Sequence, residues 1–293
     1  MTTTPVGLDQ SQVIKHTLSK IGDIATLPEI TAQIIAAVDD PKSTARDLHE
    51  IIRNDPALAT KILKVVNSAF YGLPGQISEI DRAIVLLGLS AVKNIAISAS
   101  ISRLFTAEKI SDAFSARDIW RHSVAVAVAT RQFCGLIGKK AFVEEAFLAG
   151  LIHDLGLLIE RQAYPDQLAE VIGEGAKGKR LFSEIENEVI GVDHQALGSA
   201  LAAKWRFPRG LQIVMGYHHK IDNLSEENRL LPVMVYIADV LCCHDKIGFY
   251  LTAEAQPLDD LLLESVGLTE SDFNNVREGL LEQIEAAETV LMG

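Results

Sequence analysis

The sequence predicts an all-α protein. Apolar residues recur at intervals of three and four along nearly the whole chain, no run of strict alternation is bounded by turn residues, and helix-start signals precede several apolar stripes. Ile30, Ile34, Ile35 and Val38 line one face of an early helix that breaks at Asp39, Asp40 and Pro41. Ser43 stands where an N-cap belongs, ahead of a helix carrying Leu48, Ile51 and Ile52. Asp55 followed by Pro56 marks the next start, a capping carboxylate before a proline at the first helical position. That helix carries Leu58, Ile62, Leu63 and Val66 and stops near NSAFYGLPG. Ser78 and Ser90 are read as caps for helices over 79–87 and 91–104.

A polar stretch, TAEKISDAFSAR, separates these helices from a second group that begins near Asp118. An apolar helix runs through Cys134, another spans 144–160, and the loop GEGAKGKR follows. Shorter helices are expected over 193–205, 208–219 and 230–243, and the last, 270–291, is amphipathic through Phe273, Val276, Leu280, Ile284 and Val290. The chain divides into a lead segment 1–19, a first helical bundle 20–105 and a second helical unit 118–293.

With 27 Lys plus Arg against 39 Asp plus Glu, the formal charge is −12. Such a surface repels phosphate backbones and anionic headgroups, so nucleic acid and membranes are not expected partners. Three cysteines, two of them adjacent, form no disulfide framework and fit a reducing compartment. The start MTTTPVGLDQ lacks a secretory pattern, and the longest apolar runs fall short of a membrane span, so a cytoplasmic location is expected. The 78–104 segment has the outline of a DNA-reading helix-turn-helix, but its second helix is mostly Ile, Ala and Ser and reads as core. His16 and His49 sit among polar neighbours and read as surface residues.

Chemistry concentrates where polar residues interrupt apolar helices. In FLAGLIHDLGLLIE, His153 and Asp154 stand amid leucines, a costly placement unless the pair is partnered or bound to a cation. His218 and His219 end the apolar stretch IVMGYHHK, and Asp239 breaks VMVYIADVLCC. Neutral imidazoles and carboxylates suit zinc, manganese, iron or a similar divalent ion, and several helices each aiming one or two side chains inward would build a bundle-core site. The pair at 244–245, in CCHD, lies at a helix end and reads as accidental, with Cys242 and Cys243 as small buried hydrophobes. The cations at Lys177, Lys179 and Arg180 read as a solvated loop.

The order His122, His153-Asp154, Asp239 resembles the H…HD…D signature of the HD superfamily of metal-dependent phosphohydrolases. More specifically, residues 27–240 resemble the HDOD family of bacterial signalling proteins, through LPEITAQIIAAVDDP, NDPAL…NSAFYG, FLAGLIHDLGLLI and the W-x-F-P…HH block. The resemblance implies an N-terminal helical bundle followed by an HD-like core, a bacterial signalling or regulatory role, and a fold generally without catalysis. Comparison with the catalytic HD-GYP relatives, which hydrolyse cyclic di-GMP, maps their metal ligands onto His122, His153, Asp154, His194, His218, His219 and Asp239. Two departures stand out. Leu157 replaces the lysine that serves substrate phosphate in HDxGK, and KIDNLSEENRL replaces the GYP-bearing loop. The resemblance thus favours a noncatalytic output module acting on signalling proteins, with a metal or nucleotide pocket. The alternative it leaves is a metal-dependent phosphohydrolase acting on a nucleotide or cyclic dinucleotide.

Overall fold

The structure is a computed structural model that describes residues 9–22, 27–40, 42–68, 70–73, 75–105 and 115–292. Every regular element among the described residues is helical. The first group comprises α1 (Gln10–Lys20), α2 (Glu29–Asp39), α3 (Ala45–Arg53), α4 (Pro56–Val66), α5 (Ile80–Leu87) and α6 (Leu89–Ile101). The second comprises α7 (Ala116–Leu136), α8 (Val143–Ile152), α9 (Leu155–Ala163), α10 (Pro165–Gly175), α11 (Phe182–Val189), α12 (His194–Lys204), α13 (Arg209–Tyr217), α14 (Leu230–His244), α15 (Asp260–Ser265) and α16 (Glu270–Met292). Residues 1–8 of the lead segment, residues 106–114 of the expected boundary, Pro41 and the Val38 side chain lie outside the described residues.

Local start signals explain most helix boundaries. Asp55 caps α4 by accepting from the Leu58 amide at 2.9 Å, with Pro56 at the first position, as its sequence requires. α3 is capped by Thr44 rather than Ser43, because Asp47 three residues on completes a capping box with Thr44. Neither Ser78 nor Ser90 caps a helix. α5 follows Glu79 without a side-chain cap, and α6 begins at Leu89 because Gly88, at φ +91°, turns the chain in a conformation other residues resist.

α6 runs through the middle of the first group. Its residues 92–101 are all buried, packed by α2, α4 and α5 and, across the groups, by α8. The helix-turn-helix outline is therefore core, with no free face to lay in a groove. Its polar side chains are used internally: Thr31 pairs with Ser100, and Lys93 reaches the Ala37 carbonyl.

In the second group α7 is the central rod, flanked by α8, α14 and α16. α16 buries Val276, Leu280, Ile284 and Leu291 along the 3.6-residue stripe, and each such burial contributes roughly 1.5–3 kcal/mol. α1 packs on α9 and α12, where Thr17 Oγ1 and the Tyr164 hydroxyl share a buried 2.7 Å hydrogen bond. The buried side chains of the two groups form one continuous cluster. At their junction Tyr71 donates to Glu144 Oε2 at 2.5 Å, and the Arg131 guanidinium lies 4.3 Å over the Phe70 ring. No helix among the described residues is long and apolar enough to cross a membrane.

The single helix expected over 144–160 is two, α8 and α9, broken at His153 and Asp154. The break follows from a close approach: a Cβ on Gly156 would lie 1.9 Å from the His194 carbonyl oxygen, so the start of α9 rests directly on the backbone of α12. Gly156→Ala should therefore destabilise the protein by about 1–3 kcal/mol or more, read as a lower urea midpoint. Gly173→Ala, in the open part of α10, should leave the midpoint unchanged or raise it.

Candidate metal centre

Five segments bring the seven predicted side chains to one point. α7 carries His122, the α8–α9 break carries His153 and Asp154, and α12 opens on His194. His218 and His219 follow α13 directly, and α14 carries Asp239. The break at 153–154 places two ionisable neighbours on the same centre, which a continuous helix would send about 100° apart. Their side chains are 0% exposed, His219 at 1%.

The two oxygens of Asp154 face different histidines. Oδ1 lies 3.4 Å from Nε2 of both His194 and His218, whereas Oδ2 lies 3.4 Å from His153 Nε2 and 3.8 Å from His122 Nε2. Asp239 divides similarly, with Oδ1 3.0 Å from His122 and Oδ2 3.5 Å from His219. The result is two adjoining donor sets that share Asp154: His122 and His153 on one side, His194, His218 and His219 on the other. Within each set the donor atoms lie within 4.8 Å of one another.

Hydrogen bonds fix which ring nitrogen faces inward. Nδ1 of His122, His153 and His218 lies 3.3, 2.7 and 3.0 Å from the carbonyl oxygens of Ile247, Gly150 and Val214, and Nδ1 of His194 lies 2.8 Å from Glu186. A carbonyl accepts only from N–H, so Nδ1 of His122, His153 and His218 carries a proton, and in all four rings Nε2 is the nitrogen that faces the centre. Gly248 supports this arrangement. At φ +69° it lets its turn approach α7 so closely that a Cβ there would lie 2.5 Å from the His122 amide nitrogen, which seats the Ile247 carbonyl on the ring.

The electrostatics leave the centre incomplete. Burial opposes the charge on Asp154, but the surrounding histidines overcome it and hold the carboxylate well below its usual range. Burial pushes His219 well below the ordinary histidine value, helped by His218. Burial also opposes charge on His194, yet Glu186 pulls it up to about 9. His122 Nε2, His153 Nε2, both Asp154 oxygens, both His219 ring nitrogens and Asp239 Oδ2 make no hydrogen bond. Buried polar atoms are rarely left so, and donors on one divalent ion with bonds of about 2.0–2.2 Å sit about 3–4 Å apart, close to the spacings here. The residues thus fit a divalent ion in each donor set.

Three partners were not legible as functional from sequence. Glu186 sits in ENEVIG, which reads as a charged surface; its only signal is that it lies four residues after buried Phe182, on the inner face of α11. Beside it Glu160 is fully buried without a donor to either oxygen. Burial, and then the Glu186 charge, push its carboxyl well above the ordinary range. Cys243, expected to be a plain buried hydrophobe, is buried but also donates from Sγ to Asp239 Oδ1 at 3.3 Å, one helical turn on. His244 and Asp245 turn outward, and Asp245 pairs with Arg277. His49 is partly exposed and pairs with Asp81 at 2.7 Å. In the GEGAKGKR loop, Lys177 and Arg180 bind Glu174 and Glu188.

The HDOD domain profile matches residues 24–221, two thirds of the chain and all the predicted centre except Asp239. The chain belongs to the HDOD family. An uncharacterized protein of Treponema pallidum is 26% identical over 234 residues, 79% of this chain, which spans 45% of that relative's length. An HDOD domain protein of unknown function from Geobacter sulfurreducens has the same fold, with a TM-score of 0.78 at 22% identity over 95% of this chain and 97% of that one. A "putative phosphohydrolase" from Shewanella amazonensis aligns at a TM-score of 0.72, also 22% identical, over 95% and 98%. These likenesses extend the HDOD fold beyond the matched profile to nearly the whole chain.

Because a ligating histidine is oriented by the partner of its other nitrogen, Glu186→Gln should weaken divalent-ion affinity about 10- to 100-fold. Competition against a chromogenic chelator measures it, with circular dichroism confirming the helical fold.

Proposed function

We propose that this HDOD protein is a noncatalytic signalling output module, working through contacts with protein partners in the cytoplasm and holding a divalent ion, iron, manganese or zinc, as a structural element. The observation that carries this reading is the closure of the centre: all seven ligand side chains are sealed from solvent, and Leu157, at the position where the catalytic relatives carry lysine, is itself fully buried in the core. At that position Leu157 offers a phosphate ester no cation. Lys220, which follows the paired histidines, is held by Asp193 at 2.6 Å.

The chain's own residues perform the structural task. Asp154 and Asp239 supply negative charge, the Nδ1 anchors aim the imidazoles, and Asp193 caps α12 by accepting from Ala196 at 2.9 Å so that His194 is fixed at its first position. An ion bound there would neutralise the carboxylates and tie together α7, α9, α12, α13 and α14.

The second reading, a phosphohydrolase of a nucleotide or cyclic dinucleotide, is favoured by one observation, the sharing of Asp154 between two donor sets. Paired ions in such a site polarise a phosphoryl group and activate water.

The two readings separate in one set of assays. Purified protein should contain a divalent ion by elemental analysis, and His153→Ala with Asp154→Ala should remove it. Since a ligand present at 100 times its Kd stabilises by about 2.7 kcal/mol, chelation should lower the melting temperature by about 5–10 °C. Cyclic di-GMP and nucleotides should survive incubation with manganese or iron. Hydrolysis at ordinary turnover, abolished by the double variant, would establish the phosphohydrolase instead.

A further inference from the structure

A cleft of about 670 Å³ opens where the segment after His219 passes between α14 and α15. Its inner end is the outer face of His219. Two polar side chains line it. His219 is 1% exposed with neither ring nitrogen hydrogen-bonded, and Gln256, 9% exposed, makes no side-chain hydrogen bond among the described residues. His219 belongs to the donor set of the centre, whereas the Gln256 amide faces the cleft and can pair with an occupant that brings hydrogen-bonding groups of its own.

The rim defines the charge of that occupant. Asp222, Glu226 and Asp259 stand against one cation, Arg229, which Asp222 already holds at 2.9 Å. Asp259 spends one oxygen capping α15 at the Leu262 amide, and Glu226 is uncommitted. An excess of two carboxylates repels a phosphate-bearing ligand and attracts a cation. Ile221, Leu230, Val233, Leu262 and Val266 supply the apolar part of the walls, and Leu261, also in the lining, is 74% exposed. Apolar walls below an acidic rim match an alkyl stem ending in a cation, the design of lysine and arginine side chains. The Gln256 amide, with donor and acceptor together, suits a peptide backbone.

We propose that this cleft docks a basic peptide segment of a protein partner, Lys or Arg along the Glu226–Asp259 rim and main chain toward Gln256. The proposal rests on the output-module reading only for the existence of a protein partner.

The full chain is titrated, by fluorescence anisotropy, into labelled heptapeptides in which Leu alternates with Lys, Arg, Glu or Gln. The Lys and Arg peptides should bind, more weakly as salt is raised, and the Glu and Gln peptides should not. Glu226→Gln with Asp259→Asn should weaken binding about tenfold. The second change keeps an N-cap, and an unchanged melting temperature would show the fold intact. Gln256→Leu should weaken the Lys and Arg peptides alike, since it removes a backbone contact. Binding of all four peptides alike, of none, or equally by the carboxylate variant would overturn the proposal, as would binding of spermidine without the basic peptides. None of these results touches the output-module reading, which fails only on hydrolysis that depends on His153 and Asp154.

Discussion

The structure is organised around the cost of burying ionisable groups at the meeting point of apolar helices. Each unsatisfied buried polar atom costs on the order of 1–3 kcal/mol, and a domain's net stability is only about 5–15 kcal/mol, so a handful of them rivals the whole. In this chain the Asp154 oxygens, His122 Nε2, His153 Nε2 and both His219 nitrogens are in that position. Everything around them limits the cost or aims them at a common counterpart. The Nδ1 anchors aim the imidazoles inward, and the Cys243 thiol holds one oxygen of Asp239. The glycines at 156 and 248 follow from the same constraint, since each admits a backbone that a methyl group would displace, and each of those backbones positions a ligand.

How much of this was readable in advance depends on the range of the signal. Helix periodicity is local, so the apolar stripes of α4, α6 and α16 were legible. The Asp55-Pro56 start was legible for the same reason, as cap and helix lie within three residues. Ser43, Ser78 and Ser90 misled because a hydroxyl near a helix start is permissive, whereas the Thr44–Asp47 reciprocal bond and the φ of Gly88 decide the boundary. The seven centre residues were found through motif resemblance, because their common feature, an ionisable group within an apolar run, flags some of them without saying that they meet. The break between α8 and α9 escaped because LIHDLGLLI has unbroken helical periodicity. It is imposed by contact with His194, forty residues away in sequence. Glu186 escaped because a carboxylate in a short acidic helix has solvent as its ordinary surroundings.

The packing also joins the centre to the first helical group. α8 ends at the His153 turn, and at its other end Glu144 accepts from Tyr71 and from Arg131 at 3.2 Å. Against α7 it cannot slide: a Cβ on Gly150 would meet the Ala127 Cα at 2.7 Å, so the helices are already at backbone contact. With α6 on its other side, α8 is held as a rigid piece about 15 Å long between the candidate ligands and the Tyr71 contact. The His153 turn and the Tyr71 contact are therefore fixed relative to each other through α8. Catalysis needs an open centre and a substrate cation. Leu157, buried in the core, supplies no such cation.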